Sequence, residues 1–187
     1  TVTGAPVVIS GCTVRNYTNR FVYVSLSGKI ESLTIDDCIF IGADNSTTNK
    51  AIYASSAHTQ VETLSVTNST FLNFNTGSNY FFRINCGEEL VLMPVVLIDH
   101  CTFYNCYDRR GVYLYNAGRS TIKNCISAFS ERRDDTKSFT AYGDESIVKN
   151  VISYNVDLYG SAPKENIISK NPLFVDAENG NFQLYKD

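Results

Sequence analysis

Between residues 62 and 74 the chain reads ETLSVTNSTFLNF, with apolar and polar positions alternating at period two, a single break at Asn68, and resumption with Phe71 on the apolar side. Successive side chains of a strand point to opposite faces, so this alternation predicts two half-buried strands joined by a bend. Such a unit cannot bury its apolar face alone and needs copies of itself to stack on. Copies stand at residues 7–17, 32–42, 95–105, 120–129 and 146–155.

Aligning the apolar residue before the break gives Ile9, Ile35, Val66, Ile98, Ile122 and Val148, at intervals that range from 24 (98 to 122) to 32 (66 to 98). Spacing that varies while the strand pattern holds predicts a parallel β-helix, in which loops absorb insertions and strands do not. Helical repeats have a comparable length, but their period is 3.6 rather than two. A third strand per coil is expected at residues 21–28, 51–57, 81–87, 111–118 and 138–143, with Val22, Ile52, Phe82, Val112 and Phe139 inside. The residue after each of these faces out: Tyr23, Tyr53, Arg83, Tyr113 and Thr140. A second outward column reads Ser25, Ser55, Asn85, Tyr115 and Tyr142.

The bend column holds Gly11, Asp37, Asn68, His100, Asn124 and Asn150. These residue types best tolerate a positive φ, as a sharp turn between strands requires, and stacked Asn amides can hydrogen-bond along the column. The next position holds Cys12, Cys38, Ser69, Cys101, Cys125 and Val151, which describes a small inward slot filled by free thiols. A disulfide such as Cys101 to Cys125, or a metal site, is the other reading of six cysteines.

Composition adds bounds. A chain of 187 residues fits one domain, 1–187, and 43% hydrophobic against 19% charged residues describes a folded chain. A net charge of −3 disfavours a nucleic-acid partner. No apolar run is long enough for a transmembrane segment. Because the first repeat starts close to Thr1 and a terminal coil needs a cap, a neighbouring segment, domain or surface protein partner is expected at an end.

The repeated units, the bend ladder and the closing ENIISKNPLFVDAENGNFQL at residues 165–184 resemble the pectate-lyase-like superfamily of right-handed parallel β-helices. More narrowly they are similar to uncharacterised β-helix domains on secreted, often lipid-anchored proteins of bacterial polysaccharide-utilisation loci, and more distantly to alginate and chondroitin lyases. The resemblance implies an all-β, right-handed parallel β-helix of about six coils, three strands per coil, with a carbohydrate role on the cell surface or outside the cell. It implies that the NPLF and NFQL segments finish a last coil. Catalysis does not follow, since fold alone never fixes function.

Tyr23, Tyr53 and Tyr113, one coil apart, form an aromatic strip on which sugar rings could lie; cross-strand contact alone would explain the same residues. Just ahead runs the column Arg20, Lys50, Tyr80, Arg110 and Lys137, and Arg83 interrupts the strip itself. These cations suit uronate carboxylates or sulfates, although a solvated edge would also carry them. The charged run Arg132, Arg133, Asp134 and Asp135 reads as a solvated loop. The expected function is non-catalytic binding or display of acidic polysaccharide through Tyr23, Tyr53, Arg83, Tyr113, Tyr115, Arg20, Lys50 and Arg110.

The enzyme alternative is a lyase, for which the resemblance implies a basic pair, here drawn from Lys50, Arg83 and Arg110, with calcium as a possible cofactor. Its acidic ligands are not evident, because Glu88, Glu89, Asp99 and Asp108 are dispersed. A structural stalk or protein-interaction subunit is the third reading, with the tyrosine strip as interface. His100 is expected to serve the bend rather than chemistry.

Overall fold

The computed structural model describes residues 3–17, 19–24, 29–43, 50–56, 60–74, 80–86, 94–107, 109–115 and 117–185. Each repeat forms the expected pair of strands: Val7–Ser10 with Thr13–Val14, Lys29–Asp36 with Ile39–Ile41, Gln60–Thr67 with Thr70–Leu72, and Val95–Asp99 with Thr102–Tyr104. In the next two repeats pairing continues across the bend, giving Arg119–Ala128 and Ile147–Tyr154. The third strands are Arg20–Val24, Lys50–Ser56, Phe82–Cys86, Val112–Tyr115 and Lys137–Ala141. A sixth, Asp157–Tyr159, escapes the sequence pattern because it is three residues long, packs only Leu158 on the core and pairs with a register shift.

Third strands of successive turns pair in parallel into one six-stranded sheet, and the bend-flanked strands build a 12-stranded sheet. The result is a parallel β-solenoid of about four turns. The larger count expected from the sequence includes thin end turns, where Thr13–Val14 has 2 residues and Asp157–Tyr159 has 3.

Register follows the apolar columns. Ile9 pairs Ile35, Ile35 pairs Val66, Val66 pairs Ile98, and the series continues through Ile122 to Val148. A slip of one residue would turn each of these outward, so burial of one face specifies the pairing. Phe40, Phe71 and Phe103 stack face to face inside the solenoid, with centroids 4.9 and 5.0 Å apart. Ser127 and Ser153 take this position in the last turns, where Phe139 meets Phe103 edge-on at 5.1 Å.

Every residue of the bend column has a positive φ, from 51° at Asn68 to 63° at Gly11. His100, at 53°, is a bend residue as expected. A second left-handed column at Asn16, Asn73, Asn105 and Asn155 closes the corner after the second strands; the sequence reading missed it. The cysteine slot is a column of free thiols: Cys38, Cys101 and Cys125 are buried and unbridged, and Cys12 at the end is exposed. Each thiol donates to the carbonyl two residues back, as Ser69 Oγ does to the Thr67 carbonyl at 2.7 Å. The slot therefore takes a small residue, and Cys and Ser also supply a donor.

The C-terminal segment departs from expectation. Phe174–Asp176 and Asn181–Leu184 do not complete a coil but form an antiparallel hairpin around the short 3-10 turn Ala177–Asn179. Phe174 and Phe182 pack on Tyr104 and join a cluster with Leu72 and Ala128 on the outer side of the second strands. These outward positions are apolar, and the hairpin removes part of that surface from water.

Candidate functional site

On the third-strand sheet the outward column runs Tyr23, Tyr53, Arg83, Tyr113, Thr140 and Tyr159, each paired to the next. Adjacent strands lie about 4.8 Å apart, so the column presents one side chain per step along the solenoid axis. The side chains do not stand equally proud. Tyr23 is 50% exposed and Tyr159 55%, but Tyr113 is only 6% exposed. Tyr113 is thus not an open platform for sugar, contrary to the sequence reading. Tyr80 stacks on its ring at 5.3 Å, Tyr115 lies parallel to it at 5.8 Å, and Tyr142 meets it edge-on at 6.5 Å. Long rings from the flanking columns lean over it, and Tyr115 becomes the exposed member of the group.

Cations fill the intervals between rings. The Arg20 guanidinium lies 4.3 Å from the Tyr23 centroid and 4.6 Å from that of Tyr53. Arg83 sits 4.4 Å from the Tyr80 centroid, and its Nη1 donates to Tyr53 Oη at 3.0 Å. Lys50 Nζ donates to the Tyr80 carbonyl at 3.2 Å and lies 5.8 Å from the Tyr53 ring. Arg110 rests 4.8 Å from the Tyr113 centroid. Such contacts hold cations in fixed positions on the electron-rich ring faces. The Nε groups of Arg20 and Arg83 are buried without a hydrogen-bond partner among the described residues. None of Arg20, Arg83 and Arg110 has a carboxylate within ion-pair distance among the described residues. Five of the eight sequence-derived binding residues, Arg20, Tyr23, Tyr53, Arg83 and Tyr115, thereby form one ring-and-cation surface, with Arg110 at one end; Lys50, 8% exposed, lies beneath it with Tyr113, so neither is open as the sequence reading expected.

Of the acidic residues weighed for a lyase, Asp99 alone falls within the described residues. Asp99, considered above as a calcium ligand, belongs to the other sheet and is already occupied: Asn124 Nδ2 donates to it at 2.9 Å, Lys123 Nζ lies at 3.1 Å and His100 Nδ1 at 2.8 Å. Glu88, Glu89 and Asp108 lie outside the described residues, as do Ser25 and the side chains of Ser55 and Asn85. Among the described residues no three His, Cys, Asp or Glu side chains converge as metal ligands. Burial raises the pKa values of Tyr113 and Tyr142, Arg110 pulling the other way in both. That direction is opposite to what a proton-abstracting phenolate needs. Arg132 and Arg133 pair with Asp157 and Glu131 at 2.9 Å each, so the charged loop holds itself and the neighbouring turn.

Tyr80, Tyr142 and Tyr159 are the members of the surface that sequence reasoning undervalued. Tyr80 and Tyr142 already stood in the outward columns; their lean toward Tyr113 is what the pattern could not express. Tyr159 lies on the sixth strand, which alternation did not reveal.

Fold and surface together define a β-helix domain with a tyrosine-rich, cation-studded face along its axis. The profile of a family described as "Domain of unknown function (DUF4957)" matches residues 1–76, from the first turn to the strand Thr70–Leu72 and just beyond. No curated protein matches the chain.

Proposed function

We propose that this chain is a carbohydrate-associated β-helix domain of the pectate-lyase-like type, acting at the bacterial cell surface or outside the cell. It binds or displays acidic polysaccharide on its third-strand face without cleaving it. The observation that carries this reading is the interleaving of tyrosine rings and guanidinium groups along the third-strand face, with no carboxylate paired to Arg20, Arg83 or Arg110 among the described residues. Tyrosine presents an apolar face for the CH side of a sugar ring and a hydroxyl for its substituents. Guanidinium groups held against rings lose little freedom on pairing with a carboxylate. A strand step of about 4.8 Å is close to the length of one sugar unit, so a chain laid along the axis meets a ring or a cation at each step from Tyr23 through Tyr53 to Arg83.

Glycan-array and calorimetric binding to polygalacturonate, alginate and chondroitin sulfate, with and without calcium, tests this. Tyr23→Ala and Tyr53→Ala are expected to weaken binding by roughly threefold to tenfold each, from lost ring contact, while the circular dichroism spectrum stays unchanged. Silence across the array, or binding indifferent to both substitutions, would refute the reading. Appearance of unsaturated-uronate absorbance that a chelator abolishes would instead favour a calcium-assisted lyase.

A further inference from the structure

Beyond Tyr113 the aromatic column steps down. Thr140 is fully buried, its Oγ1 donating to the Arg110 carbonyl at 3.1 Å, and the next residue in register, Tyr159, is exposed. At this end of the face lies a cavity of about 410 Å³ lined by Arg109, Arg110, Asp135, Lys137, Tyr142 and Tyr159. Three cations thus face one carboxylate. Lys137 shares Asp157 at 3.4 Å, but neither Arg109 nor Arg110 has an ion-pair partner among the described residues. The backbone brings these groups together by close approach. Gly111 has φ +54°, and a Cβ there would collide with the Lys137 and Ser138 carbonyls, so the segment carrying Arg109 and Arg110 packs directly on the one carrying Lys137. Gly160, at φ +96°, packs in the same way on the Ala141 backbone and seats Tyr159 at the rim.

We infer that this cavity is the subsite that reads acidity, holding one uronate residue with its carboxylate among Arg109, Arg110 and Lys137 and its ring against Tyr142 and Tyr159. The inference rests on the third-strand face being a polysaccharide platform and places charge recognition at one end of it. A volume near 410 Å³ falls in the range of small-ligand sites. Guanidinium forks pair bidentately with a carboxylate, which fixes its orientation as well as its charge.

The test uses the whole chain, digalacturonate and its neutral dimethyl ester, with binding followed by calorimetry. Digalacturonate is expected to bind, and the ester about tenfold more weakly, as for loss of a charge-assisted contact. Arg109→Gln, at an exposed position, and Lys137→Gln are each expected to remove most of that preference. Tyr53→Ala, remote from the cavity, is expected to weaken polygalacturonate but leave digalacturonate unchanged. Equal binding of acid and ester, undiminished preference in Arg109→Gln, no binding of digalacturonate, or stronger binding of a sulfated disaccharide each overturns the inference. If long-chain binding ignores Tyr23→Ala and Tyr53→Ala while Arg109→Gln abolishes the dimer's preference, the platform fails and the subsite stands.

Discussion

At the foot of the longest amide ladder, Asp99 accepts from Asn124, which accepts from Asn150 at 3.1 Å, which accepts from Asn166 at 2.9 Å. Partial burial works to raise the Asp99 pKa, but hydrogen bonds from Asn124 and Lys123 and the charges of His100 and Lys123 outweigh it, and the net shift is downward. A carboxylate held below its ordinary value of about 3.9 contributes stability that is complete above that pH and lost as pH falls through the native value. Urea midpoints of the wild type and Asp99→Asn are therefore expected to differ most near neutrality and to converge as pH drops below about 4. A difference independent of pH would mean that the ionised form contributes nothing. Asp157 has the same sign: Arg132 and Lys137 lower its pKa against the opposing effect of burial. At this scale the sequence was legible wherever the requirement was local. His100 and the asparagines were assigned to the bend from their tolerance of positive φ, but the role of Asp99 and Asp36 as acceptors for residues a full turn away was not visible. Asp36 takes Thr67 Oγ1 at 2.5 Å and Asn68 Nδ2 at 2.8 Å, so the acceptors belong to the position before the bend.

The bend column does two jobs at the level of the element: it turns the backbone and it ties one turn to the next. Two substitutions separate them. Asn124→Gly keeps the conformation and loses the ladder bonds, at a cost of about 1–2 kcal/mol. Asn124→Ala loses the bonds and keeps a Cβ in the left-handed region without the local hydrogen bonding by which Asn tolerates it, adding about 1–2 kcal/mol more. Chemical denaturation of both variants is expected to show Ala as the worse; an equal cost would place the whole contribution in the hydrogen bonds. The thiol slot shows the same division. The side chain must be small to fit, and a donor for the carbonyl two residues back is met by thiol and hydroxyl alike, so Ser69 substitutes for cysteine without altering the turn. At Val151, which has no donor, the volume requirement alone is met.

Across the whole molecule each turn packs on its two neighbours, so a cavity in the middle of the stack weakens two interfaces and one at the end weakens one. Phe71 is fully buried between Phe40 and Phe103, with interplanar angles of 4° and 5°. Phe71→Ala is expected to cost about 3–5 kcal/mol. Val14 occupies the same column in the first turn but is only partly buried, and Val14→Ala should cost about 1 kcal/mol. Equilibrium unfolding of the two variants checks the contrast; similar losses would show that the column does not pack as a stack. The C-terminal hairpin adds a contact of another kind, joining side chains from Leu72, Tyr104 and Ala128 on three successive turns.

The sequence by itself determined the coil plan: which residues alternate, where the chain bends, and therefore which residues pair. Those features rest on the two-residue period of a strand and on the few residue types that accept a positive φ, both properties of a short stretch of chain. It also placed Arg20, Lys50, Tyr53 and Arg83 on one face, since columns follow directly from register. Only the tertiary structure decided which members of that face stay open. Tyr113 is covered because Tyr80, Tyr115 and Tyr142 converge on it from flanking columns, and Arg109, Arg110 and Lys137 share a cavity because Gly111 lets two turns approach. The hairpin of residues 174–184 likewise reads as a last strand until the apolar outer side of the second strands is there to receive it. These outcomes depend on volumes and side-chain directions contributed by residues a full turn or more apart, which alternation along one strand does not encode.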